Sequence, residues 1–440
     1  MTPVENSLTQ DFIGAGITSS IFIGVLIVAE LWRRLHDAPA ERTRKLVHLG
    51  GGLACLLFPF LVDRLWIIAL LAIAMTALFA AGARFAFLPS LHDIRRRSHG
   101  AEYYPLAVIL LLLFAGDRTW LYVAALLTLA VGDAFAALIG SRYGVIRYQV
   151  DDCHKTLEGS LVFFIIAFQA VFLPTLLMTD LPRPVCVLAS TLVAVLVTFF
   201  EAISLKGSDN LFVPLGTAVI LESITRQSFG EIVFQNISLL GICLGMALLS
   251  WKLPYFNPGS VMALVLYAYG AWSFGAWHWA LPIFAGLLFY LFVWALVAND
   301  KKEPPIRVST TVRALIAPFL FVALAGGTGE RELFLAPYLA ASACVLALAL
   351  ADPLHRLPVF EHRRHFGTFV LAVVATGLVL LPLQVTGYET PAPLLILATV
   401  APLTWLVLRH EWRQHGAPLS EWSAPRFLVA WVSAAPALVI

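Results

Sequence analysis

The stretch Gly132-Asp133-Ala134-Phe135-Ala136-Ala137-Leu138-Ile139-Gly140 (132–140) decides how this chain is read. It ends an apolar segment that starts near residue 119, and the whole is long enough to cross a bilayer. An aspartate inside such a segment is costly, so it marks a functional position by default. Gly132, Ala136 and Gly140 recur every fourth residue, which leaves one helix face small and open to close approach by a neighbour. Asp133 stands one position off that face. Taken alone, it is either a buried acid with a structural partner or a ligand facing a cavity.

Outward from this stretch, apolar segments repeat from end to end. Of 440 residues, 60% are hydrophobic and 13% charged, where soluble domains carry roughly 25% charged residues. About sixteen segments are expected, near 12–31, 46–62, 65–83, 103–115, 119–140, 159–178, 185–201, 211–224, 235–251, 258–275, 277–297, 314–326, 333–351, 367–383, 392–408 and 427–440. Those at 103–115 and 211–224 fall below the roughly 20 residues of a straight crossing, so broken or re-entrant helices are expected there. The fold class is all-α, a polytopic integral membrane helical bundle. Met1 to Asp11 carries two acids and no Lys or Arg, so the first segment reads as a retained span. The five cysteines are scattered, with no disulfide framework or zinc spacing. No nucleic-acid signature is present.

Charge is distributed unevenly. Of the 29 Lys and Arg residues, 24 fall in alternate loops, leaving Arg64, Arg118, Arg183, Arg226 and Arg331 on the other side. The positive-inside rule then puts both termini outside and the basic loops in the cytoplasm. The polar motifs fall at those cytoplasmic span ends.

Four motifs carry chemistry. In Glu41-Arg42-Thr43-Arg44-Lys45-Leu46-Val47-His48, a helix sets Arg44 and His48 four apart on one face. Arginine binds phosphate oxygens bidentately; the alternative is a basic anchor with a snorkelling histidine. In the second motif, Gly140 and Gly144 bracket Ser141-Arg142-Tyr143, where backbone N–H groups would reach phosphate oxygens, or the glycines simply end a helix. The third, Asp151-Asp152-Cys153-His154-Lys155-Thr156-Leu157-Glu158-Gly159-Ser160, offers Thr156 as a helix cap and sets Lys155 where a helix N-terminus favours anions. Glu158 and Ser160 are candidates to hold a magnesium ion or orient a hydroxyl. The fourth runs from Glu201 to Pro214 and holds Asp209-Asn210, an oxygen pair suited to Mg²⁺ or else an Asx turn. No P-loop and no protein-kinase signature occurs.

In this order the motifs resemble the polyprenol kinase family, which includes dolichol kinase, phytol kinase and CTP-dependent diacylglycerol kinase. Arg44, Lys45, His48 and Gly52 match its R-K-x-x-H-x-x-x-G segment. Gly132, Asp133, Ala136, Gly140 and Gly144 match G-D-x-x-A-x-x-x-G-x-x-x-G. Lys155, Thr156, Glu158, Gly159 and Ser160 match K-[ST]-x-[EA]-G-S, and Glu201, Asp209, Asn210 and Pro214 match E-x(n)-D-N-x-x-x-P. The resemblance covers about residues 30–225. Asp152, Cys153 and His154 stand where family members often carry further lysines, and Ala137 where phytol-kinase-like members often carry a second acid.

The resemblance implies transfer of the γ-phosphoryl group of CTP, or another nucleoside triphosphate, to the hydroxyl of a long isoprenoid alcohol. It implies Mg²⁺ as cofactor and a membrane lipid alcohol as partner. Asp133, Lys155, Glu158 and Asp209 are then the expected catalytic residues. Arg44, Lys45, His48, Gly140, Gly144, Lys155, Thr156 and Ser160 are expected at the nucleotide phosphates, and Asp133, Glu201, Asp209 and Asn210 at the metal.

Two domains are expected, a catalytic membrane region over 1–230 and a further helical region over 231–440 with no second copy of the motifs. The rival readings are a CTP-dependent cytidylyltransferase acting on a lipid phosphate and, from another class, a lipid transporter.

Overall fold

The computed structural model describes residues 7–85, 100–151, 153–204, 207–252, 257–297, 307–355, 364–387, 393–415 and 422–438. It is helical almost throughout. Eleven helices among the described residues are long and apolar enough to cross a membrane, and Leu65–Phe79 and Tyr103–Ala115 are shorter apolar helices. The protein is thus an all-α polytopic membrane protein. The segments expected at 211–224 and 258–275 are helical, and that at 427–440 is helical to Val432, but none has the length or hydropathy of a full crossing. Arg95, Arg96, Arg97, Lys206, Lys301, Lys302, Arg356 and Arg363, which entered the orientation argument, lie outside the described residues, as does Asp152.

The chain forms two compact units, Met1–Ile237 and Ser238–Ile440. In the first, α1 (Leu8–His36) is followed by α2 (Ala40–Cys55) and the short α3 (Phe58–Leu61), which together make one crossing. Next come α4 (Leu65–Phe85), α5 (Gly100–Ala115) and α6 (Thr119–Leu127). A single π-helical turn, Thr128–Gly132, joins α6 to α7 (Asp133–Tyr143), so Thr119–Tyr143 is one apolar rod of 25 residues. Such turns concentrate at functional sites, and this one delivers Asp133.

A feature outside the all-α expectation follows α7. Strands β1 (Arg147–Val150) and β2 (Cys153–Thr156) pair antiparallel, with Tyr148 opposite Lys155. Asp151 turns the chain with φ 49°, a left-handed conformation that aspartate tolerates better than most residues. Then α8 (Leu157–Met178), α9 (Arg183–Ile203) and α10 (Asp209–Thr225) complete the layer around the site. In α9, Ala189, Leu192, Val193, Leu196 and Val197 are buried at a helical spacing, and this stripe packs between α8 and α10.

Helix α11 (Phe229–Lys252) spans the boundary between the units. The second unit adds α12 (Pro258–Gly270), α13 (Trp277–Val297), α14 (Val308–Thr328), α15 (Arg331–His355), α16 (Arg364–Val385), α17 (Pro393–His415) and α18 (Ala424–Val432). Its core holds a buried bidentate pair: Arg426 Nε and Nη2 donate to Glu411 Oε1 and Oε2 at 2.7 and 2.6 Å.

Candidate active site

The glycines beside Asp133 let α7 and α8 meet closely. A Cβ at Gly140 would lie 2.7 Å from Thr156 Oγ1, and one at Gly144 would lie 2.4 Å from Thr156 Cγ2. Thr156 is itself the cap of α8, its Oγ1 accepting from the Gly159 N–H at 3.2 Å. The Gly144 N–H donates to the Gly140 carbonyl at 3.1 Å. Gly140 and Gly144, expected with Thr156 at phosphate, thus accept the threonine side chain, and Thr156 Oγ1 and the Gly144 N–H are bonded within the fold.

Close packing carries Asp133 onto α2. Lys45 Nζ donates to both carboxylate oxygens of Asp133 at 2.6 Å, with 6% and 12% of the two side chains exposed. His48, one turn further along α2, brings Nε2 to 3.3 Å from Asp133 Oδ2 and 3.4 Å from the Leu129 carbonyl. The face of α2 turned to Asp133 is therefore Lys45/His48, not the expected Arg44/His48. Arg44 is held by Glu41, Nη2 to Oε1 at 2.7 Å, and stays in electrostatic range of Asp133 and Asp209.

A second ion pair lies at the hairpin. Lys155 Nζ donates to Glu201 Oε1 at 2.7 Å and also to the Glu201 carbonyl. Burial pulls the Lys155 ammonium down, but Glu201 and then Asp209 outweigh it, and its pKa stands above the ordinary lysine value. Opposite Lys155 in the ladder, Tyr148 shares a hydrogen bond of 2.7 Å with Ser160 Oγ. Ser160 thus braces the hairpin, and Glu158 does likewise, Oε1 accepting from the Ile146 N–H at 3.1 Å.

Asp209 opens α10 and bridges these two groups. It acts electrostatically on Arg44 and His48 on one side and on Lys155 on the other. Its Oδ1 is buried without a hydrogen-bond partner. Beside it, Asn210 is committed: Nδ2 donates to the Gly100 carbonyl at 2.8 Å. Among the described residues no three His, Cys, Asp or Glu side chains gather closely enough to hold a metal ion. Asp133 and Glu201 are each neutralised by a lysine and Asn210 ties α10 to α5, which leaves Asp209 as the oxygen ligand of the expected metal set without a committed partner.

Two participants escaped the sequence reading. Tyr148 has no signal outside the hairpin, and Tyr104, whose ring meets His48, is one aromatic among many in an apolar helix. The chain, with basic and acidic side chains drawn together at the ends of α2, α8, α9 and α10 and in the middle of the α6–α7 rod, can neutralise a polyanion beside these apolar helices.

No known family model matches the sequence, and no solved structure matches it. Among curated proteins the chain is similar to the phytol kinase of Synechocystis sp., with 34% identity over 211 residues, 48% of this chain and 90% of that relative. With identity at that level across nearly the whole relative, the chain belongs to the polyprenol/phytol kinase family.

Proposed function

We propose that the first unit transfers the γ-phosphoryl group of a nucleoside triphosphate, CTP by preference, to the hydroxyl of a long-chain isoprenoid alcohol such as phytol, a polyprenol or dolichol, at the cytoplasmic membrane face. The observation that carries this reading is Asp209: a carboxylate oxygen buried without a partner, in electrostatic range of Arg44 and Lys155, two cations that attract phosphate. Phosphoryl transfer asks a protein chiefly for positioning and charge neutralisation, and that is what these residues offer.

Arg44 and Lys155 bind the triphosphate, exchanging Glu41 and Glu201 for phosphate oxygens. Lys45 stays with Asp133, and this pair fixes His48 and the α2–α7 contact. The alcohol enters from the bilayer, its tail in lipid. Its oxygen forms a bond to the γ-phosphorus, the bond from that phosphorus to the β–γ bridging oxygen breaks, and the nucleoside diphosphate leaves. The alcohol proton passes to Asp209.

A hard oxygen donor with few other protein ligands fits Mg²⁺, which keeps water and substrate phosphates around it. Asp209 would hold the ion, which supplies further neutralisation of the phosphates when bound.

Purified protein given Mg-CTP and a panel of phytol, farnesol, undecaprenol, dolichol and diacylglycerol tests the reading. It expects CDP and a lipid monophosphate from an isoprenoid alcohol. Pyrophosphate release with a CMP-bearing lipid would replace it with a cytidylyltransferase.

A further inference from the structure

A site for a polyanion is expected to carry an excess of positive charge, and this one does not. Among the described residues, the lysines, arginines, aspartates and glutamates that pair with or act on one another there are three cations, Arg44, Lys45 and Lys155, and four carboxylates, Glu41, Asp133, Glu201 and Asp209. Two of the carboxylates sit on the cations assigned to phosphate, and they are not alike. Glu41 reaches Arg44 from one turn away on the same helix and is half exposed, the kind of pair that contributes little. Glu201 comes from a different element, and its side chain is 12% exposed against 21% for Lys155.

Glu201 holds Lys155 through both its side chain and its backbone. Lys155 Nζ donates to Glu201 Oε1 at 2.7 Å and to the carbonyl of the same residue. An ammonium has three hydrogens, so at most one is left for a phosphate oxygen until Glu201 yields. Carboxylate and phosphate offer an ammonium the same thing, an anionic oxygen acceptor. A carboxylate so placed competes with the nucleotide for one cation, and once displaced it stands near the bound phosphates as a like charge.

We infer that Glu201 governs release of the nucleoside diphosphate product: it is the anion that phosphate displaces from Lys155 on binding and that takes Lys155 back as the diphosphate leaves. Glu201 is then a positioning residue acting through Lys155. The inference rests on the kinase reading, which makes Lys155 a phosphate ligand, and the sign of its effect sets it apart from other roles. Neutralising a metal ligand or a structural prop weakens nucleotide binding, whereas neutralising a competitor strengthens it.

The test is binding of radiolabelled CDP and of inorganic triphosphate to the purified full chain in detergent. Glu201→Gln keeps the shape and removes the charge, and it should bind both about tenfold more tightly, the difference between a charged and a neutral hydrogen-bond partner. Glu201→Asp keeps the charge on an arm one methylene shorter and should fall between Glu201→Gln and the parent. In a Lys155→Met background the gain from Glu201→Gln should vanish. In turnover, inhibition by CDP should strengthen by the same factor while the KM for phytol stays put; a merely structural change would move both. CDP bound by Glu201→Gln no more tightly than by the parent, or a gain that survives in Lys155→Met, overturns the inference. Should Glu201→Gln not fold, Glu201→Asp binding CDP no more tightly than the parent overturns it equally. Tighter binding with no phosphoryl transfer to any alcohol would overturn the kinase reading and leave Glu201 in place.

Discussion

Replacing Lys45 by methionine isolates the buried ion pair at the centre of the site. Asp133 takes both of its short hydrogen bonds from Lys45 Nζ, at 2.6 Å each, in a contact where the side chains are 6% and 12% exposed. Methionine keeps most of the volume and removes the charge, so a carboxylate is left buried with only His48 at 3.3 Å. Breaking one side of such a pair costs about 3–5 kcal/mol. The Arg44 guanidinium, in electrostatic range of Asp133, offsets part of this, which favours the lower end. At roughly 2–4 °C per kcal/mol for a unit of this size, the unfolding temperature should fall by about 6–12 °C.

Removing both charges, as in Lys45→Met with Asp133→Leu, should recover most of that loss, because apolar replacements of a buried pair are often neutral or stabilising. Catalysis should not return. Tryptophan fluorescence during heating in detergent reads this directly, the chain having 12 tryptophans. A Lys45→Met protein that melts with the parent, or a double variant as unstable as the single one, would refute the claim that this pair is buried and mutually dependent.

Asp209→Asn should lower the transfer rate by about 10²–10⁴-fold, the range for a lost proton acceptor, with little change in unfolding temperature, measured by initial rates at saturating nucleotide. Gly140→Ala should destabilise by about 1–3 kcal/mol, as overpacking does, since its Cβ would sit 2.7 Å from Thr156 Oγ1; thermal melts against the parent check it. Lys155 has a raised pKa, so the stability it contributes is complete below the ordinary lysine value of about 10.4 and is lost only as pH rises through the raised value. Melts of Lys155→Met and the parent should therefore differ by a constant amount from pH 6 to pH 9, taken as roughly the range below that value, and converge above it.

The sequence made the membrane class and the site's ingredients legible for physical reasons. Apolar length carries a strong signal because hydrocarbon penalises every exposed backbone group and charge. Asp133, Lys155, Glu201 and Asp209 stood out because charges are scarce in such a chain. Their pairing was not legible. Whether Arg44 or Lys45 faces Asp133 depends on a rotation of α2 that charge spacing alone does not set, and the structure chooses Lys45. The glycines at 140 and 144 read equally well as phosphate contacts or as a helix end, and their fit to Thr156 depends on a neighbour that spacing does not reveal.

The hairpin at Arg147–Thr156 was missed because its strands are four residues each, too short for alternation to register. Asp11 shows the same limit: it is buried in α1 and paired with Arg64 Nη1 at 2.6 Å, yet in sequence it reads only as an acid before the first span.

The central claim is that this site moves a terminal phosphoryl group onto a lipid alcohol with Asp209 accepting the alcohol proton. Incubation of the purified protein and of Asp209→Asn with phytol and CTP labelled at the γ-phosphate, followed by extraction of the lipid, tests it most directly. The account predicts labelled phytyl phosphate from the parent protein and, from a folded Asp209→Asn, labelling near background. Labelling from Asp209→Asn equal to the parent, or label transferred only from α-labelled CTP, would contradict it.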